Sequence, residues 1–395
     1  MSLRHYSVLS LVGFRLLRPS KSTDMSGVDL DNNTRTRCNV NNVKSAPELG
    51  ESLTFEDPED HTRFSSGWVR WCPTSPGQLQ EAEEKLLGSL KHTYEGRYVP
   101  INSEDKLWTI SLNPSQSNKT PIVLIHGFGS GVGLWSHNLD ALSTRRPLHA
   151  FDMLGFGRSS RPKLPFDAEL AEQEFVNAIE AWRQNMGIEK MILVGHSFGG
   201  YLTYAYGIRH PSRVSHLVLA DPWGFPKKPD ESDPENQLPL WARAIRAMIS
   251  PFNPLSTIRA AGPLGPRLVR KFRSDMKRRF ESIIDDDTVC NYIYHLNAQT
   301  PSGEIAFKSM STSFAWAVNP MIMRATAVPA HVPITVMYGS KSWMDIDMGN
   351  ELKYRRQGQG SEVNVHILKG AGHHVYADKA GMFNALIYDL CDKVD

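Results

Sequence analysis

The chain has 395 residues, 41% hydrophobic and 22% charged, the make-up of a folded protein with room for one large domain or two ordinary ones. A formal net charge of +2 gives no bulk case for nucleic acid as a partner. Its cysteines, Cys38, Cys72, Cys290 and Cys391, stand far apart with no CxxC pair, which argues against a disulfide framework or a zinc site and for reduced thiols in the cytoplasm.

In chain order, the first apolar run is SVLSLVGFRLL, Ser7 to Leu17. It falls short of the ~18 residues that span a bilayer. Arg4, Arg15 and Arg18, with no acid before Asp24, bring it closer to a mitochondrial presequence than to a secretory signal. The plainer alternative is a disordered basic tail. Residues 1–63 are polar and aperiodic, which predicts disorder. Residues 64–93 carry Trp68 and Trp71, then QLQEAEEKLLGSL, which has the spacing of a short amphipathic helix.

From Tyr94 strands and helices alternate. Strands are predicted near Arg97–Ile101, Trp108–Leu112, Ile122–His126, Leu148–Asp152, Met191–Gly195, Val214–Ala220, Ile334–Tyr338 and Asn364–Leu368. Helices fit Ala168–Met186, Phe198–Ile208 and Ala380–Lys393. Such alternation predicts an α/β fold whose mainly parallel sheet is covered by helices on both faces. The core divides into residues 94–225 and 324–395. The intervening residues 226–323 are helical in character and too long for a loop, so they are predicted to form a cap.

The chemistry centres on Gly195-His196-Ser197-Phe198-Gly199, placed between an apolar strand and a helix. Glycines on either side of a serine permit a sharp strand-to-helix turn that projects the hydroxyl and aims the next backbone N–H, that of Phe198, at an oxyanion. A serine hydroxyl needs a base, and the base needs an orienting acid. In this architecture they follow in the order serine, acid, histidine. Asp345, beyond the strand ITVMYG, is the expected acid, with Asp347 and Asp221 as substitutes. His373, in GAGHH, is the expected base, with His374 as its competitor. The second oxyanion donor is expected at Phe128, after the turn made by His126 and Gly127, with His126 in a structural role. No metal or organic cofactor is needed for this chemistry.

HGFGSGVGLW, FDMLGFGRSSRP, GHSFGG, DPWGFP, PFNPL, AGPLGPRLVR, YIYHLNAQTPSGEIAFK and GAGHHVYAD together resemble the α/β-hydrolase superfamily, and within it the subfamily of abhydrolase-domain proteins 4 and 5. The resemblance runs from about Ser66 to Asp395 and implies an α/β-hydrolase fold with a helical cap insert. The subfamily includes a lysophospholipase acting on N-acyl phospholipids and a lipid-droplet coactivator of a triglyceride lipase. The vertebrate coactivator has asparagine in the nucleophile slot, where this chain has Ser197. An arginine on the coactivator's lipase-activating surface is matched by Lys341, which keeps the charge but not the planar fork of donors; Gly372 matches. The subfamily's H-x4-D pattern, here His373 to Asp378, is similar to that of glycerolipid acyltransferases. That likeness implies acyl transfer to lysophosphatidic acid, with acyl-CoA as co-substrate.

Charge within the cap points toward a lipid. From Trp241 to Phe280 there are ten Lys or Arg against the single acid Asp275, interleaved with apolar residues. Such a stretch suits an anionic headgroup or membrane surface. Trp68 and Trp71 are candidate contacts with that surface, since tryptophan favours the water–lipid interface.

Three readings follow. The first is a serine hydrolase cleaving acyl esters of phospholipids or lysophospholipids. The second is a coenzyme A-dependent lysophosphatidic acid acyltransferase. The third is a non-enzymatic droplet-bound coactivator of a triglyceride lipase. All place the protein in the cytoplasm at lipid droplets or membranes, with a lipase or droplet coat protein as a further partner.

Overall fold

The computed structural model describes residues 71–113, 118–229, 255–312 and 316–395. The expectations for residues 1–63 and for Trp68, Arg243 and Arg246 lie outside them. Helix α1, Pro76–Leu87, begins where Ser75 accepts a hydrogen bond from the Gln78 N–H at 3.2 Å and Pro76 presets the first turn. Strands β1 (Tyr94–Pro100), β2 (Lys106–Leu112), β3 (Ile122–Ile125), β4 (Leu148–Phe151), β5 (Met191–His196), β6 (Val214–Ala220), β7 (Ile334–Gly339) and β8 (Val363–Leu368) form one sheet. The spatial order is β1-β2-β4-β3-β5-β6-β7-β8. The β1–β2 and β2–β4 pairs are antiparallel, and every later pairing is parallel.

Alternation along β5 explains why the sheet needs cover on both sides. Met191 and Leu193 enter one core cluster, Ile192 and Val194 the other. Between the strands run α2 (Ser136–Leu142), α3 (Ala168–Asn185) and α4 (Phe198–Arg209). In α3, Asp167 accepts from the N–H groups of Glu169 and Leu170 at 2.9 Å, a cap worth about 1 kcal/mol. Its buried stripe of Ala171, Phe175, Ile179 and Trp182 follows the helical period onto the sheet.

The insert carries α5 (Ser256–Ala260), α6 (Gly265–Phe272), α7 (Ser274–Phe280), α8 (Thr288–Asn297) and α9 (Gly303–Met310). The chain returns to the sheet through β7, α10 (Asp347–Gln357), β8, α11 (Val375–Asp378) and α12 (Ala380–Cys391). One buried carboxylate ties α1, the sheet and the insert together. Glu83 accepts from Trp108 Nε1 at 2.7 Å, Arg158 at 2.8 Å and the Tyr292 hydroxyl at 3.1 Å. The insert therefore does not hang from the core by its ends; α8 is bonded into it.

Candidate active site

Strand β5 ends and α4 begins at Ser197, whose backbone adopts φ 55°, ψ −116°. This conformation costs a non-glycine residue roughly 1–3 kcal/mol and persists only when the surroundings dictate it. They do. The Ser197 N–H donates to Ala220 O at 3.0 Å, and its carbonyl accepts from the N–H groups of Tyr201 and Trp223 at 3.1 Å. Gly199 is required because a Cβ there would overlap the carbonyls of Ile125 and His126. The strain lifts the hydroxyl off the sheet while the residue stays buried, 7% exposed.

The Ser197 hydroxyl donates to His373 Nε2 at 3.0 Å. His373 Nδ1–H donates to Asp221 Oδ2 at 2.6 Å, with Asp221 fully buried. The expected pairing of His373 with Asp345 is therefore corrected: the carboxylate on the imidazole is that of Asp221. Asp221 directly follows β6, and its N–H donates to Met337 O at 2.7 Å. From there its carboxylate accepts from the Gly339 N–H at 3.1 Å and from the Ser342 hydroxyl. Asp345 lies beyond the turn after β7 and accepts from the Asp347 N–H at 3.1 Å. It lines a separate cleft of about 630 Å³ with Pro226, Asp347, Met348, Glu351 and Tyr354. Burial pushes its pKa upward.

The histidine loop is held from several sides. His196 Nε2–H donates to the His373 carbonyl at 2.9 Å. Its buried Nδ1 keeps a lone pair without a partner among the described residues. Burial, with His373 beside it, holds the pKa of His196 well below the usual range. The Lys341 N–H donates to Ala371 O at 2.8 Å, while the Lys341 side chain is exposed. The contact with Ser197 is made by His373 and not by its neighbour His374. His374 Nε2 faces Arg273 at 3.1 Å, and burial keeps its pKa far below normal.

The turn after β3 reaches the serine at Gly127, where a Cβ would stand 3.1 Å from Ser197 Cβ and 2.9 Å from His196 Nδ1. His126 donates its Nδ1–H to Gly127 O at 2.8 Å and accepts the Met153 N–H on Nε2 at 3.0 Å. That pattern fixes one neutral tautomer, and burial lowers its pKa. The next residue, Phe128, sets its ring 4.3 Å from that of Phe307. Phe198 opens α4, where a backbone N–H has no acceptor within the helix. Phe307, from α9, also approaches the rings of Phe198 at 4.8 Å and Trp223 at 4.7 Å. Core and insert thus share one aromatic cluster that includes Phe198, the residue after the serine. On the far side of His373 stands Trp343, at 5.3 Å.

The H-x4-D spacing does not make a pair. With His373 Nδ1 on Asp221, Asp378 accepts instead from the Gly372 N–H at 2.8 Å and from Arg279 Nε at 2.5 Å. Trp71 is 67% exposed; its indole N–H donates to Arg259 O at 3.1 Å and its ring lies against Gly262. Much of the basic stretch is paired with acids: Arg259 meets Glu304 in a sheltered pair, Lys277 meets Asp287 at the surface, and Arg273 and Arg279 share Asp275. Arg267, Lys271 and Arg278 are exposed, the first two on the same helical stretch as exposed Leu264 and Leu268. Among the described residues no group of three or more His, Cys, Asp or Glu is placed to hold a metal, and no helix is long and apolar enough to cross a membrane.

Residues 120–380 match the family described as the alpha/beta hydrolase fold. The chain belongs to the α/β-hydrolase family. It is 48% identical over 342 residues to human (lyso)-N-acylphosphatidylethanolamine lipase, covering 85% of this chain and 99% of that one. It is 47% identical over 335 residues to human 1-acylglycerol-3-phosphate O-acyltransferase ABHD5, covering 84% and 95%. Among solved α/β-hydrolase structures, Bacillus subtilis carboxylesterase NP superposes with a TM-score of 0.56 at 17% identity, over 80% of this chain and 98% of that one. A bacterial membrane phospholipase A gives 0.57 at 18% identity, over 81% and 91%.

Two contributors to the site carried no local sequence signal. Asn297, in α8, donates to Gly129 O at 2.9 Å and so steadies the turn that holds Phe128. Arg279, in α7, meets Asp378 across a separation of 99 residues. His196 is different, since its place between glycine and serine puts it beside the site whatever the rest of the chain does.

Proposed function

We propose that this protein is a serine esterase acting on acyl chains of phospholipids or lysophospholipids, with Ser197 as nucleophile, His373 as general base and Asp221 as orienting acid. The observation that carries the reading is the continuous run of hydrogen bonds Ser197–His373–Asp221 at the strand ends of an α/β-hydrolase. As Ser197 Oγ bonds to the ester carbon, its proton passes to His373 Nε2. Asp221 stabilises the imidazolium, and the backbone N–H groups of Phe128 and Phe198 receive the oxyanion. His373 then returns the proton to the leaving alcohol, and water repeats the sequence on the acyl-enzyme.

Likeness to the (lyso)-N-acylphosphatidylethanolamine lipase supports a phospholipid substrate. Likeness to the acylglycerol-phosphate acyltransferase supports a second fate for the same acyl-enzyme, attack by a lipid alcohol in place of water, with acyl-CoA as the donor. Exposed Trp71, Leu264 and Leu268 beside Arg267 and Lys271 support action at a droplet or membrane surface from the cytoplasmic side. A lipase or droplet coat protein remains a candidate partner there.

Purified protein incubated with lysophosphatidylethanolamine and its N-acyl form is expected to release fatty acid. Ser197→Ala is expected to abolish that release. A parallel reaction with labelled acyl-CoA and lysophosphatidic acid separates transfer from hydrolysis. Undiminished fatty acid release by Ser197→Ala would refute the reading.

A further inference from the structure

The aspartate of the H-x4-D spacing has a task of its own. Asp378 Oδ2 receives the N–H of Gly372, the residue immediately before His373, at 2.8 Å. Its other oxygen receives Arg279 Nε from α7 at 2.5 Å. The guanidinium also reaches Asp275 on its own helix. Burial opposes the Arg279 charge, yet Asp378 and Asp275 together hold its pKa above the usual range. The strut is partly sheltered, with Asp378 15% and Arg279 22% exposed. A second cation from the same region, Arg273, faces His374 Nε2 at 3.1 Å. The residues on either side of His373 are thus both braced from the insert.

We propose that Asp378 and Arg279 are positioning residues for His373: the insert sets the aim of the imidazole at Ser197 through the chain Arg279–Asp378–Gly372 N–H. This inference rests on Ser197 acting as the nucleophile. Asp378 touches neither the imidazole nor Ser197, so it moves no proton. It fixes where the loop carries the ring. An imidazole swung away from the hydroxyl loses the transition state while substrate still binds. The reading also separates Asp378 from a dyad partner, because that post on Nδ1 belongs to Asp221.

The test measures the second-order rate of fluorophosphonate labelling, together with kcat and KM on a soluble ester, for wild type, Asp378→Ala, Asp378→Asn, Arg279→Ala and the double alanine variant. Asp378→Ala is expected to lower the labelling rate and kcat about tenfold to a hundredfold with KM nearly unchanged. Asp378→Asn keeps an acceptor for the Gly372 N–H and recovers part of the loss. Arg279→Ala gives a smaller drop, and the double variant falls no further than Asp378→Ala, since both act through one chain. The pH profile of kcat/KM keeps its wild-type acid limb in every variant because Asp221 still holds His373. Folded Asp378→Ala with wild-type labelling, additive losses in the double variant, or a raised KM at constant kcat overturns the proposal. Should Asp378→Ala fail to fold, Asp378→Asn decides: a slowed rate supports the strut, a wild-type rate overturns it. Absence of labelling in wild type overturns the nucleophile reading itself, and the strut with it.

Discussion

At the end of β6, Asp221 is fully buried among three donors, the Gly339 N–H, the Ser342 hydroxyl and the His373 ring. Past the end of β7, Asp345 is partly exposed and accepts from the N–H two residues on. Both follow apolar strands in the same sheet, and both precede the histidine in the chain. What separates them is the third dimension. β6 lies beside the nucleophile strand β5, so a carboxylate at its tip needs no loop to reach the imidazole. A carboxylate that must steady an imidazolium is one that donors and burial already hold in place.

The sharpest way to break this contrast is to exchange the two aspartates in turn. Asp221→Asn removes the charge and favours the wrong tautomer of His373, with an expected loss in kcat of about 10⁴-fold. Ester turnover near the wild-type rate in that variant would return the role to another acid. The buried-versus-exposed distinction also governs stability. Burial pushes the pKa of both His149 and His216 down to about 4 from an ordinary 6.5. Above about pH 6.5 neither state is protonated at these rings. As pH falls from 6.5 toward 4 the unfolded chain takes up protons that the folded chain refuses, and stability is lost, by about 3 kcal/mol for each ring. Chemical denaturation between pH 7 and pH 4 checks this, and a flat stability profile across that window contradicts it.

A smaller effect is expected at the oxyanion turn. Asn297→Ala releases Gly129 O and is expected to cost about tenfold in kcat, less than the loss of a donor itself. Steady-state kinetics on a soluble ester measures it. Smallest of all is Asp345→Asn, expected to leave kcat/KM within about twofold of wild type, as for a change away from the reacting atoms. Parallel assays of Asp221→Asn and Asp345→Asn put the whole comparison in one experiment.

The inner strands β3, β5, β6 and β7 were readable from the chain because each is an apolar run bounded by turn residues, whereas the edge strand β1, YEGRYVP, is polar and mostly exposed. The elbow was readable because the glycines at 195 and 199 flank Ser197 where a Cβ would overlap nearby backbone. The acid was not, because three aspartates stand beyond strand ends and nothing local ranks them. Packing of β6 against β7, which delivers Gly339 and Ser342 to Asp221, does the ranking. The spacing from His373 to Asp378 suggested a pair, yet the short helix α11 between them turns the carboxylate onto Gly372. The basic excess of Trp241 to Phe280 suggested a single lipid-facing patch. Part of it serves contacts such as Arg279 with Asp378 and Arg259 with Glu304, whose partners lie far away or on another helix. Charge counting along the chain has no access to such pairings.

The central claim is that one hydroxyl, aimed by His373 and Asp221, carries out the chemistry. The most direct measurement is peptide mapping by mass spectrometry after fluorophosphonate treatment of the folded protein, with and without competing lysophospholipid. The account predicts a single adduct on Ser197, slowed by the lipid and nearly absent in Asp221→Asn. An adduct on a different residue, or lipid cleavage that continues after Ser197 has been modified, would contradict it.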